Sequence, residues 1–534
     1  MTSYMFFLHR GKKETKMGTV ITTLSSQDLS TLGLVIVTLI LSYYFYARTS
    51  SKQHYPRGPP TIPILGNLPQ LLMAKDTNMI YFLEDSRKKY GNVFTIELGG
   101  VKRVVICSYE IVQELFSKHA NISSNRKTDS MPETYSKLAE VTPGIFWAKY
   151  PHWKTLRSFA LSTLREEGMG KSHLEPRIMH EIHAYIDHFI TPHVGQPINL
   201  SDSIMLATAN VMSSMIHGHR KDYTDTNFLY WMRQFRISIK SATKAAIARN
   251  IPFAAYFPGD FTGVKADRKA GEVTIPEVMK EVEAHKANLD PNNLVTYIDK
   301  FLYHAQEKKD GENLFTDGNA GITMLNLYAA GTETTSTALT WAILYMCAHP
   351  DVQVKVQEEI DNVLGTNEVR YQDRFTLPYT EAVILETLRL GNIAPMALPH
   401  TLEEEYTIDV LLLKAVQKIH LIVILQTLPA GCELMINMAS ILWDEEVFEE
   451  PNKFKPERYL NGDVTLKKTR TLAFGTGRRA CLGEGLARME LSLFLTTFMQ
   501  RFKVSLPTGH IPNLNGVCSI VNAPAKFTVI FTER

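Results

Sequence analysis

The chain has 534 residues, 45% of them hydrophobic, which is enough to bury a large core and too apolar for a disordered protein. Its 57 lysines and arginines stand against 55 acids, a net charge of +2, so no global field recruits nucleic acid. Five cysteines, Cys107, Cys347, Cys432, Cys481 and Cys518, are odd in number and form no C-x-x-C pair, unlike a disulfide framework or a structural zinc site.

From the N-terminus, residues 1–28 form a tail carrying Arg10, Lys12, Lys13 and Lys16, and residues 29–47 carry no charge. At 1.5 Å per residue this stretch makes a helix of about 28 Å, close to the thickness of a bilayer core. Tyr43, Tyr44 and Tyr46 beside Arg48 suit its interfacial end. It reads as a retained membrane anchor, with a buried core helix as the alternative. A translation start at Met17 removes the basic block and leaves the C-terminal bulk on the cytoplasmic side. Residues 48–60 read as a hinge, because Pro56, Pro59 and Pro60 forbid a continuing helix, and residues 61–534 as the catalytic domain. Within that domain, 93–98 and 103–107 predict a hairpin around Gly99-Gly100. Most later segments carry helical periodicity, so the expected class is mainly α with small β-sheets. The charged stretch 262–318 reads as exposed helices and loops.

Three motif matches fail. Gly170-Lys171-Ser172 lacks the first glycine of a phosphate loop, since Arg165 stands there. Gly475-x-Gly477-x-x-Ala480 lacks the acid a dinucleotide ribose needs, because no Asp or Glu occurs between Glu490 and Glu533. His180-Glu181-x-His183 misses the i, i+4 spacing of a zinc protease, with Ala184 in the second position.

Other constellations carry chemistry in varying degree. Trp153 and Arg157 share one helix face at i, i+4 and suit a carboxylate, although such pairs are also ordinary packing plus surface charge. Residues 321–348 are apolar except for Thr332-Glu333-Thr334-Thr335 after Ala330-Gly331. Burying four polar side chains there is costly without partners, and a helix start capped by Thr332 is the alternative. Glu386 and Arg389 at i, i+3 form an unremarkable pair by themselves. The most informative stretch runs Phe474-Gly-Thr-Gly477-Arg-Arg479-Ala-Cys481-Leu-Gly483-Glu-Gly485. Its glycines allow a flat ligand to approach the backbone, and the next helix N-terminus with Arg478 and Arg479 is expected to favour the Cys481 thiolate. A metal-binding sulfur is the leading reading; a buried structural cysteine and a nucleophilic thiol are the alternatives.

Here the sequence resembles the haem-thiolate monooxygenases, the cytochromes P-450, whose signature F-x-x-G-x-R-x-C-x-G is met by Phe474, Gly477, Arg479, Cys481 and Gly483. The resemblance runs from the proline-rich hinge to the C-terminus and is greatest toward the microsomal drug- and steroid-metabolising enzymes of animals. It implies the P-450 fold, with haem between a long oxygen-binding helix and the cysteine loop and its iron ligated by Cys481. It further implies that Trp153, Arg157, Arg479 and His400 contact the haem propionates. Glu333 and Thr334 become an acid and alcohol pair handling protons, and Glu386, Arg389 and Arg458 a buried structural network. Tyr459 replaces the family's usual phenylalanine after that arginine. One departure is larger: residues 410–426 are long and apolar where the relatives have a short hairpin. The run reads as a retained non-coding stretch, with a membrane-facing insertion as the alternative.

The activity implied is hydroxylation of an apolar xenobiotic, steroid or fatty acid by O₂. Electrons come from an NADPH-dependent flavoprotein reductase docking near Lys149, Lys154 and Arg478, with room for cytochrome b5 as a second donor. The implied location is the endoplasmic reticulum membrane, with one span and a cytoplasmic catalytic domain. Ile393-Ala-Pro395-Met396 hints at a specific steroid hydroxylase or lyase, and a non-enzymatic haem sensor is the remaining alternative.

Overall fold

The structure, a computed structural model, describes residues 54–128, 143–248, 262–307, 314–412 and 422–534, with a few isolated positions elsewhere. The chain divides into two units, Met1–Gln53 and His54–Arg534. Met17 and almost all of the predicted anchor at 29–47 lie outside the described residues, among which no helix is long and apolar enough to cross a membrane.

The second unit is mostly helical with small sheets, as the periodicity predicts. Its first described residues lie close against the sheet. A Cβ on Gly58 would meet the Thr95 carbonyl oxygen at 1.8 Å, so the proline segment lies directly on a strand, and the Asn67 side chain donates to the Pro60 carbonyl at 3.1 Å. Helix α1 (Met79–Tyr90) starts where the Asn78 side chain accepts from the Ile80 N–H at 2.9 Å. The predicted hairpin follows as β1 (Val93–Leu98) and β2 (Val101–Ile106). Next come α2 (His152–Glu166), α3 (Leu200–Ile216), α4 (Thr226–Ala248), α5 (Val264–Ala287) and α6 (Tyr297–Glu307), the last two filling the charged stretch.

Helix α7 (Asp317–Ala348) is 32 residues long and buried on nearly every side. Thr316 caps it, accepting from the Asn319 N–H at 3.1 Å, so Thr332 lies mid-helix and the helix-start alternative fails. An apolar helix without a wet face can only form the centre of a globule. It packs against α3, α5, α8 (Pro350–Val363), α9 (Pro378–Gly391) and α10 (Glu484–Arg501).

Strands β3 (His400–Thr401) and β6 (Glu433–Ile436) complete a four-stranded sheet in the order β1-β2-β6-β3, with β2 and β6 parallel. Arg103 and Glu433 face each other across that pair and close an ion pair of 2.8 Å. Between them, β4 (Tyr406–Leu412) and β5 (Ile422–Leu428) pair antiparallel from Tyr406 with Leu428 to Leu412 with Ile422. Both flanks of the apolar run therefore join the hairpin ladder, where its β-branched residues find backbone partners. Residues 413–421 lie outside the described ones.

Candidate functional site

The turn ahead of α10 is shaped by close approach. Gly477 has φ +72° and sits so near Phe116 that a Cβ would meet its carbonyl oxygen at 1.7 Å, so only glycine fits. The chain then reverses, the Cys481 N–H donates to the Phe474 carbonyl at 2.8 Å, and α10 begins at Glu484. This geometry turns Cys481 toward a cavity of about 310 Å³ whose opposite wall is α7, through Ala330, Gly331, Thr334, Thr335 and Ala338. Cys481 is an exposed residue with no disulfide partner, and it is part of the lining of that cavity.

Trp153, Arg157, His400, Phe474, Arg479 and Gly483 line the same cavity, so three separate stretches of the chain converge on it. Gly477 does not line it; its work is the turn. A Cβ on Gly483 would meet nothing within 4 Å, which leaves backbone open to a flat ligand. Ile145, Phe146, Leu327, Met438 and their neighbours make the rest mainly apolar.

One wall is strongly cationic. The Arg157 guanidinium donates to the Ala480 carbonyl at 2.6 Å, and Arg479 donates to the carbonyls of Ser124, Ile145 and Ala148 while lying 4.2 Å from the Trp153 ring. Arg126, which the sequence reading missed, donates to the Phe146 carbonyl at 2.8 Å and also lines the cavity. It stands in a stretch without periodicity, and nothing local marks it. Burial first, then the neighbouring arginines, push Arg479 down to about 8 and Arg126 to about 10. Guanidinium groups keep their protons in proteins, so these shifts express positive charge without compensation. Among the described residues no carboxylate pairs with Arg126, Arg157 or Arg479. A dianionic ligand such as haem, with its two carboxylates, fits that deficit. His400 donates from Nδ1 to the Ser123 carbonyl at 2.7 Å, and burial drives its pKa down to about 3, so it is neutral until an anion arrives.

One expectation needs correction. Arg478 and Arg479 do not hold the Cys481 thiolate: Arg478 is exposed and Arg479 is occupied by carbonyls. Burial raises the thiol pKa, with the Gly483 backbone N–H and Arg157 opposing it, so ionisation of this sulfur depends on the ligand it meets. On α7, successive side chains diverge by about 100°. Thr334 faces the cavity, its hydroxyl donating to the Ala330 carbonyl at 2.5 Å, whereas Glu333 is buried outside the lining, where Arg236 and Lys240 of α4 bear on it. Burial raises the Glu333 pKa, and its Oε2 has no hydrogen-bond partner.

The acid and base network forms away from the cavity lining. Arg389 grips Glu386 with two bonds of 2.7 and 2.8 Å, Arg458 reaches the same carboxylate at 3.0 Å, and all three side chains are at most 2% exposed. The carbonyls of Leu442 and Glu449 take further guanidinium protons at 2.8 Å each.

Comparison with known proteins agrees with this arrangement. The cytochrome P-450 family model matches residues 56–531. The chain is 35% identical to cytochrome P-450 2B9 of Mus musculus over 488 residues, covering 90% of this chain and 94% of that one. It is 34% identical to cytochrome P-450 2K1 of Oncorhynchus mykiss over 495 residues, 91% and 92% of the two chains. With cytochrome P-450 2D28 of Mesocricetus auratus the identity is 32% over 507 residues, 93% and 97% of the two.

Proposed function

The chain belongs to the cytochrome P-450 family and is a haem-dependent monooxygenase, and from that premise we propose that Cys481 is its iron ligand and the cavity it lines is the reaction chamber. Haem supplies O₂ activation there, one oxygen atom going to the organic substrate and the other leaving as water. The protein's part is to hold, orient and protonate. Cys481 provides sulfur from the side opposite α7, while Arg126, Arg157 and Arg479 neutralise carboxylates at the rim. His400 joins them by taking a second proton, which an anion favours. Thr334 presents its hydroxyl to the chamber, and Glu333, one residue back and ready to hold a proton, serves as reservoir on the α4 side. Water or a rotated side chain carries the proton around the helix between them.

Apolar walls select an apolar organic substrate, of the xenobiotic, steroid or fatty-acid kind; Ile393 and Ala394, from the steroid-hydroxylase-like segment, are part of them. Exposed Lys149, Lys154 and Arg478 offer an acidic redox partner its contact, here an NADPH-dependent flavoprotein reductase with cytochrome b5 as alternate donor. Residues 29–47 anchor the chain in the endoplasmic reticulum membrane, with residues 61–534 as the cytoplasmic catalytic domain behind the 48–60 segment. Cys481 opening onto a cavity rimmed by guanidinium groups that no carboxylate pairs among the described residues carries this reading. Reduced, carbon-monoxide-treated enzyme is expected to absorb near ~450 nm, the signature of thiolate ligation, and Cys481→Ser to lose that band while still binding haem. Retention of the band in that variant would reassign the ligand.

A further inference from the structure

A second cluster of ligating side chains lies at the junction of α3, α5 and α6, built from residues that the haem chemistry does not use. His217 caps the C-terminus of α3, and Glu281 and His285 lie one turn apart on α5 and so share a face. One ligating atom from each of the three lies within 4.8 Å of the other two. We propose that His217, Glu281 and His285 bind a divalent transition metal of the zinc class.

Three independent features support this. His217 is 6% exposed, and its Nδ1 has no hydrogen-bond partner although it lies 3.8 Å from Glu281 Oε2, which leaves a buried nitrogen aimed into the cluster. Asp299 of α6 accepts from His285 Nδ1 at 2.7 Å and is itself fixed by the Thr296 backbone N–H at 3.2 Å. That arrangement puts the lone pair of His285 on Nε2 and orients the ring, the carboxylate-to-histidine support that metal-binding imidazoles commonly have. Lys221 occupies Glu281 Oε1 at 2.9 Å, so Oε2 is the oxygen left for a cation.

Two imidazoles and one carboxylate suit zinc and its neighbours rather than magnesium or calcium, which prefer all-oxygen shells. A tetrahedral zinc with ligands at about 2.1 Å holds them about 3.4 Å apart, so small side-chain rotations close the cluster. An adjoining cavity of about 150 Å³, lined by His217, Glu281, Lys221 and Tyr328, leaves room for water at the fourth position. Once bound, the metal cross-links α3 to α5 and raises the temperature at which they separate.

The test uses haem-loaded enzyme and zinc itself, with affinity read by competition against a chromophoric chelator. One equivalent per polypeptide is expected. His217→Ala and His285→Ala should each weaken it tenfold or more, and Asp299→Asn by roughly tenfold, while exposed His180, replaced by Ala, changes nothing. The carbon-monoxide band checks that each variant folds, and Glu281→Gln replaces His217→Ala if the latter does not. Zinc should also raise the melting temperature of the wild type and not of His285→Ala. Failure to retain zinc at micromolar concentration, unchanged affinity in both His285→Ala and Glu281→Gln, or preference for magnesium or calcium would each overturn the assignment.

Discussion

Two groups of arginines, one fully buried and one buried or half-buried along a cavity wall, show opposite electrostatic completeness. Around Glu386, the guanidinium groups of Arg389 and Arg458 share one carboxylate and spend their other protons on backbone carbonyls. Around the cavity, Arg126, Arg157 and Arg479 also use carbonyls, but among the described residues no carboxylate answers them. The first group is finished within the polypeptide and holds the fold; the second, as far as the described residues go, is left for an anionic ligand to complete, in keeping with the role proposed for it. Burial alone does not separate structural from functional charge. The presence or absence of the counter-ion does.

The sharpest way to test the contrast is Glu386→Gln, which strands two buried cations. It should cost about 3–5 kcal/mol of unfolding free energy, measured by denaturant titration of holoenzyme and haem-free protein alike. Arg126→Met should behave the other way. Without haem the variant is expected to be as stable as wild type or more so, because mutual repulsion is relieved, while haem escape accelerates about ten- to hundredfold, the equivalent of one charged hydrogen bond. Equal loss of haem-free stability in the two variants would break the comparison.

His400 offers a smaller, pH-dependent version. Its folded pKa of about 3 lies below the ordinary 6.5, so protons favour the unfolded chain. The stability it contributes is complete above pH 6.5 and is lost as pH falls toward 3, at a limiting slope of about 1.4 kcal/mol per pH unit. Haem carboxylates next to the ring should raise that pKa, so the haem-free protein should lose stability more steeply between pH 6.5 and 5 than the holoenzyme. His217, with the same depression, contributes equally to both forms and cancels. Parallel slopes, or a haem-free slope unaltered by His400→Gln, would place the anion elsewhere.

The smallest effect belongs to exposed charge. Lys149→Glu with Lys154→Glu should slow reductase-supported turnover several-fold at low salt and little at high salt, because solvent screens these positions. Turnover driven by a peroxide, which needs no reductase, should be unchanged.

Local pattern made much of this legible. The β1–β2 hairpin announces itself by alternation around paired glycines, α7 by a long apolar run, and the cysteine loop by glycines whose spacing tolerates little else. Trp153 and Arg157 were readable because one helical turn joins them. Arg126 was not, since only the folding of a distant irregular segment against Phe146 brings it to the rim. The separate surroundings of Glu333 and Thr334 were equally hidden: adjacent in sequence, they face different neighbours, and which neighbours depends on how α7 is rotated against α4 and α10.

Residue pattern was enough for the helical class and for the glycine-rich turn that carries Cys481, because periodicity and steric demands on the backbone act over short range; the Glu386–Arg389–Arg458 network came from family resemblance, since Arg458 lies far from Glu386 in the chain. Only the tertiary fold decided which distant side chains meet: at the cavity wall, where Arg126 and Arg479 come together without a carboxylate among the described residues, and beneath α3, where His217 meets Glu281 and His285. Those encounters join residues far apart in the chain, and the cost or benefit of each depends on how much water the surrounding packing excludes, which no local window of residues encodes.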